Sequence, residues 1–252
     1  MSKKFEQIYN KSITKPEEFW REISEDIFWF KKPNKILNKT NPPFYKWFED
    51  GTTNTCYNAL DFHIDNGLGE KTALIYDSPI TGNKAKFTYN ELRSRVSKFA
   101  GALKNQGLQK GDRAIIYMPM VPEAVIAMLA CSRIGVIHSV VFGGFASNEL
   151  ASRIDDSKAK ILITSSCGFE PGRTVEYRPL VDGALKLAKH SVEKIIFLYG
   201  IQQNECVAYI NQMERTKNTA KLAIEYGNWP SRFFIETQTL EDMCRDALEY
   251  EK

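Results

Sequence analysis

Glu170, Pro171, Gly172 and Arg173 follow one another inside a stretch, Ser165 to Arg178, that is rich in Gly, Pro, Glu and Arg. An arginine held behind a Pro-Gly turn fixes a planar guanidinium, the group best shaped to meet a phosphate with two parallel hydrogen bonds. The plain alternative is a surface turn carrying a solvated arginine. Gly143 and Gly144 offer a second chemistry. Backbone without side chains lets a ligand come close to exposed amide donors, although a Gly pair also serves any tight turn from strand to helix.

Other reactive side chains stand alone. Cys167 precedes Gly168, but no local signature sets a histidine beside it, so a thiolate nucleophile is not indicated. His63, His138 and His190 are scattered without ligand spacing, and no metal site is expected. The chain has no Gly-x-x-x-x-Gly-Lys-Ser/Thr loop, no Gly-x-Gly-x-x-Gly after its first strand and no Gly-x-Ser-x-Gly elbow. The residues thus give two candidate ligand loops and no catalytic set.

The elements that must position these loops can be read from periodicity. Arg113 to Tyr117 and Val136 to Val141 are apolar, β-branched runs separated by a helix-like segment of about fourteen residues, the spacing of a βαβ unit. Pro122 suits a first helical position and Gly135 a helix stop. The second strand empties directly into Gly143 and Gly144, at the carboxyl end where open α/β sheets hold their ligands. Asn148 to Asp156 and Leu180 to Ala188 read as helices, Lys160 to Thr164 and Lys194 to Leu198 as strands. The alternation predicts a mostly parallel sheet with right-handed crossovers, in which two neighbouring strand ends offer loops to one edge.

Upstream, Thr88 and Glu91 form a capping box opening a helix with Leu92, Val96, Phe99 and Leu103 on one face, stopped at Gly107. Ala73 to Tyr76 reads as a strand that hairpins through Pro79, Gly82 and Asn83 into Phe87. A second box, Thr14 to Glu17, predicts a short helix carrying Phe19, Trp20 and Ile23. Pro42 to Phe48 is an extended aromatic segment expected to lie on apolar surface. Residues 1–62 read as a wrapping arm, and 201–252 as a polar, weakly patterned tail.

Of 252 residues, 43% are hydrophobic and 26% charged, as in soluble globular proteins. The formal charge of +3 is spread without a basic block, which gives no footprint for nucleic acid. No uncharged apolar run reaches membrane-spanning length, and the N-terminus lacks a secretory signal. Five widely spaced cysteines with no Cys-x-x-Cys pair suit a reducing compartment better than a disulfide framework.

Tyr45 to Ile64 and Phe87 to Thr164 carry a resemblance. The chain, from about Phe5 to Tyr199, resembles the N-terminal part of AMP-forming short-chain acyl-CoA synthetases, the acetyl-CoA and propionyl-CoA synthetase group. Gly168 to Lys186 looks more like the propionyl-CoA branch, since the acetyl-CoA branch tends to have Arg where this chain has Glu170. The resemblance implies an α/β fold: the N-terminal part of the adenylate-forming fold, a mostly parallel sheet flanked by helices, with residues 63–200 in the AMP-binding domain behind an N-terminal arm.

The reaction so implied joins a short acid to coenzyme A through an acyl-adenylate made from ATP. Carried over by position, Glu170, Pro171, Gly172 and Arg173 belong to the coenzyme A site with Gly143 and Gly144 beside it. Arg173 would pair with phosphate, and Glu170 would act through backbone or through a ribose or adenine group.

The family's phosphate loop and C-terminal catalytic lysine are not found in residues 200–252, so no residue is expected to be catalytic, and Mg2+ is expected only with the ATP site. The implied partners are a short carboxylate, coenzyme A and the remainder of the enzyme, in cytoplasm or mitochondrial matrix, with no nucleic acid and no membrane. The expectation is a truncated enzyme inactive by itself; a non-catalytic coenzyme A-binding or regulatory remnant, or half of a split enzyme, are the alternatives.

Overall fold

A computed structural model describes residues 3–198 and the backbone of Phe233 and Phe234; the expected polar tail, 201–252, otherwise lies outside the described residues. The chain forms two compact units, Met1–His63 and Ile64–Lys252.

The first unit opens with α1 (Lys3–Thr14) and α2 (Pro16–Ile23), and contains a two-residue antiparallel ladder of β1 (Leu37–Asn38) and β2 (Lys46–Trp47). The capping box expected at Thr14 and Glu17 does not form. Thr14 ends α1, and its hydroxyl donates back to the Asn10 carbonyl at 2.6 Å. The N-cap position of α2 falls to Lys15, which makes no side-chain cap bond. A Thr already in helical backbone bonds the carbonyl one turn behind it more readily than the amides ahead. The aromatic segment also departs from expectation: Phe44, Tyr45 and Trp47 are exposed, and Phe48 is half-buried against Trp29, with ring centroids 5.5 Å apart.

The second unit begins with the expected hairpin, β3 (Thr72–Asp77) and β4 (Lys84–Thr88), followed by α3 (Tyr89–Asn105). Here the capping box is present. Glu91 N–H donates to the Thr88 hydroxyl at 3.2 Å, and Thr88 N–H donates to the Glu91 carboxylate at 2.8 Å. Two of the amides that a helix start leaves without partners are thereby satisfied.

The βαβ unit follows as β5 (Arg113–Met118), α4 (Pro122–Arg133) and β6 (Ile137–Phe142). Gly135 ends this helix region at φ +74°, a backbone conformation that costs a residue with a Cβ about 1–2 kcal/mol. Next come α5 (Ser147–Ser157), β7 (Ile161–Ser165), β8 (Cys167–Glu170), β9 (Arg173–Glu176), α6 (Tyr177–Leu187), β10 (Lys194–Leu198) and β11 (Phe233–Phe234). The stretch read as an irregular loop after Thr164 is therefore mostly an antiparallel hairpin of β8 and β9, and the helix behind it starts three residues earlier than expected.

The main sheet is parallel in the order β11-β10-β7-β5-β6. Central strand β5 separates β6 from β7, so the two strand ends expected to be neighbours stand one strand apart. The chain steps from β5 to β6, then back across β5 to β7. With the right-handed crossovers usual between parallel strands, α4 goes to one face and α5 and α6 to the other.

Alternation along the strands bears this out. Ile115, Tyr117, Leu162, Ile195 and Phe197 share a buried cluster with Leu150, Ala151 and Ile154 of α5 and Val181 and Ala184 of α6. The alternate residues Ala114 and Ile116 are equally buried on the opposite face, where α3 packs against α4. Each large apolar side chain so enclosed contributes about 1.5–3 kcal/mol. The reversal at β5 makes a topological switch point at the carboxyl ends of β5 and β7.

Cys56 and Cys131 are buried thiols outside any disulfide, whereas Cys167 is disulfide-bonded, a departure from the reduced thiols that the cysteine spacing suggested. No described helix is long and apolar enough to cross a membrane.

Candidate functional site

A cavity of about 350 Å³ opens at the switch point, within the range usual for small-molecule sites. Four segments wall it: Tyr76 to Ile80 from the end of β3 onward, Met118 to Val121 from the end of β5 onward, Val140 to Gly144 at the end of β6, and Gly168 to Glu170 on β8, with Tyr177 from the start of α6. Each of the four comes from a carboxyl-terminal strand end or the hairpin following one. Of the predicted site residues, Gly143, Gly144 and Glu170 meet here. Pro171, Gly172 and Arg173 do not line the cavity; they stand at the tip and far side of the β8–β9 hairpin.

Space requires glycine at Gly143 and is tight at Gly144. A methyl group at Gly143 would collide with the Tyr177 hydroxyl and stand 2.8 Å from the Met118 carbonyl oxygen. One at Gly144 would sit 3.0 Å from the Phe142 ring and 3.7 Å from Glu170 Oε1. Neither glycine has positive φ, so close packing under the cavity, rather than a left-handed turn, selects them.

At the hairpin tip, Pro171 and Gly172 (φ +76°) have the residue pattern of a type II turn, which sets Glu170 directly opposite Arg173. The Arg173 side chain donates from Nε and Nη2 to Glu170 Oε2, at 2.8 and 2.6 Å. Both partners are well exposed, at 69% and 40%. The sequence reading gave Glu170 no part in holding Arg173; the geometry does.

Tyr177 was not found by sequence reasoning. Its side chain is 4% exposed, its ring packs on Tyr117 with centroids 5.0 Å apart, and its hydroxyl lies between Gly143 and Gly168. That hydroxyl has no hydrogen-bond partner among the described residues and reaches the cavity. Burial, with Tyr117 and Glu170 nearby, raises its pKa, keeping it a neutral donor. Burial likewise pushes the Tyr117 phenol up to about 12, and that hydroxyl donates to the Phe145 carbonyl at 2.6 Å. A tyrosine opening a helix reads from sequence as core, and nothing local reveals that it fills the space left by two distant glycines.

The cavity lining carries two carboxylates, Asp77 and Glu170, and no basic side chain among the described residues. Asp77 is paired with Lys84 at 2.8 Å. Arg173, paired with the lining residue Glu170, brings a guanidinium to the rim. Elsewhere His138 lies half-buried in β6, its pKa lowered by burial, and His190 Nε2 meets the Ala159 carbonyl at 3.0 Å. Among the described residues no group of three His, Cys, Asp or Glu side chains could hold a metal ion.

Comparison with known proteins adds the family. Residues 63–225 match the family model of AMP-binding enzymes. The chain belongs to the AMP-binding enzyme family. Residues 5–59 match the acetyl-coenzyme A synthetase N-terminus. The human acyl-CoA synthetase short-chain family member 3, mitochondrial, is 55% identical over 185 residues, 73% of this chain and 27% of that protein. The acetyl-coenzyme A synthetase of Streptomyces coelicolor is 48% identical over 170 residues, 68% of this chain and 26% of that enzyme. That of Xylella fastidiosa is 44% identical over 198 residues, 76% and 30% respectively. The chain thus spans under a third of the length of these curated relatives. Cavity and hairpin both fall inside the part matched to the AMP-binding enzyme family, as the resemblance to short-chain acyl-CoA synthetases anticipated.

Proposed function

We propose that this chain supplies the coenzyme A side of an AMP-forming short-chain acyl-CoA synthetase, with propionate as the first candidate acid and acetate the second. In the parent reaction the acid's carboxylate oxygen attacks the α-phosphorus of ATP and expels pyrophosphate. The coenzyme A thiol then attacks the acyl carbon and expels AMP. Residues 1–62 form the N-terminal arm, 63–200 the N-terminal part of the AMP-binding domain, and 201–252 a divergent tail.

The observation that carries this reading is the meeting of Gly143, Gly144 and Glu170 in one cavity at the switch point, with the Arg173 guanidinium tied to its rim through Glu170. A largely apolar cavity without a basic lining suits the uncharged pantetheine or adenine part of coenzyme A, and the rim arginine suits a phosphate. Gly143 and Gly144 allow close approach; Pro171 and Gly172 set the turn. No residue is assigned a catalytic part. Magnesium would accompany ATP, and no described residues fit it. The compartment is cytoplasm or mitochondrial matrix; the name of the human relative says mitochondrial.

The test is calorimetric titration of the folded chain, and of Arg173→Ala, with coenzyme A and with pantetheine, which has no phosphate. The expected result is coenzyme A binding that weakens by about 1.5–3 kcal/mol in the variant, as for a hydrogen bond to a charged group, with pantetheine binding unchanged. A folded chain that binds neither compound would remove coenzyme A from this cavity.

A further inference from the structure

We infer that Glu170 is a positioning residue, which grips one edge of the Arg173 guanidinium and presents the opposite end to a phosphate ester. The inference rests on the reading of Arg173 as the coenzyme A phosphate contact, and deepens it. A guanidinium has five N–H donors in a fixed plane. Glu170 Oε2 takes Nε and Nη2, which share the side edge of that plane. Three donors are left, including one on each Nη at the outer end, and that outer pair is the second fork able to take two phosphate oxygens at once.

Other features of the hairpin serve the same arrangement. Pro171 and Gly172 set the two residues opposite each other. Glu170 itself lies against the Gly-Gly turn, its Oε1 3.7 Å from where a Gly144 side chain would begin. The pair is too exposed to add much to folding stability, which leaves orientation as its main physical effect. An unheld arginine this exposed must surrender its rotamer freedom when it binds; one already gripped has surrendered most of it.

A carboxylate beside an arginine also repels phosphate, and the two effects have opposite signs. Water screens the repulsion at so exposed a site, whereas the two short bonds that fix the guanidinium are retained. Orientation should therefore win.

Titration of coenzyme A into Glu170→Ala, Glu170→Gln, Arg173→Ala and the Glu170→Ala/Arg173→Ala double variant decides the matter, with thermal unfolding as the folding control. Glu170→Ala should weaken binding about three- to tenfold. Glu170→Gln, which keeps an oxygen able to accept both N–H groups, should lose less. In the Arg173→Ala background Glu170→Ala should cost nothing further. Tighter binding by either Glu170 variant, an equal loss with and without Arg173, or no change while Arg173→Ala binds more weakly would each overturn the inference and leave the coenzyme A reading intact. An Arg173→Ala chain that binds like the parent would instead overturn that reading, and the inference with it.

Discussion

The turn after β6 and the tip of the β8–β9 hairpin border the same cavity, yet they are built on opposite principles. Gly143 is fixed from beneath, where a buried phenol and a backbone carbonyl leave no room for a side chain, and Gly144 sits close against the Phe142 ring. Glu170 and Arg173 are fixed only by each other, in solvent. Sterics make the first region intolerant of change but chemically plain. An exposed ion pair makes the second tolerant of change and chemically specific. The same pair of glycines could be mistaken for a flexible loop, and the same arginine for a solvated surface charge.

The most forceful way to break this contrast is to crowd the first region. Gly143→Ala should cost about 1–3 kcal/mol in chemical denaturation, the usual price of overpacking. Adding Tyr177→Phe should recover part of it by removing the colliding hydroxyl, but not all, because the Met118 carbonyl remains. If Gly143→Ala folds as stably as the parent, space is not what selects glycine there. At the hairpin, Gly172→Ala should cost about 1–2 kcal/mol through its left-handed backbone, measured in the same way.

Tyr177→Phe alone sharpens the comparison. With no partner for the hydroxyl among the described residues, stability should hold, while coenzyme A binding should fall by about 0.5–1.5 kcal/mol if the hydroxyl bonds the ligand. Arg173→Ala should leave stability within about 0.5 kcal/mol, as at other exposed sites, whatever it does to binding.

The smallest expected effect is one of pH. The Asp155 carboxylate accepts N–H bonds from His190, at 2.7 Å, and Lys189, at 2.8 Å, which lower its pKa. A lowered folded-state pKa means that the contribution is present above the unfolded pKa and lost as pH falls through the folded one. Amide exchange at Lys189 and His190 should accordingly speed up, relative to the intrinsic rate, only in acid. Asp155→Asn should remove that dependence.

Signals complete within a few residues were readable. Thr88 and Glu91, and Pro122 with Gly135, marked helix limits because caps and breakers act through the nearest backbone. Thr14 and Glu17 had the same letters and failed, since α1 had already claimed Thr14. The strand order was not legible: periodicity says that a strand exists but not beside which strand it lies, so β5 between β6 and β7 could come only from the fold. Likewise β8 and β9, four residues each, are too short for a periodic signal. Gly143, Gly144 and Glu170 could be picked out by composition and resemblance, whereas Tyr177 becomes visible only when three distant segments are brought together.

The bond from Tyr117 to the Phe145 carbonyl couples the loop beyond the Gly-Gly turn to the innermost strand. Tyr117 is wholly buried in β5, so lifting that loop would strand a phenol in the core without an acceptor, a cost that surface loops ordinarily escape. The Phe145 amide, itself bonded to the Phe142 carbonyl, should therefore open on the timescale of the central sheet and not on that of the surface. The cavity then has one wall that breathes only when the whole sheet does, and a ligand must enter past the others.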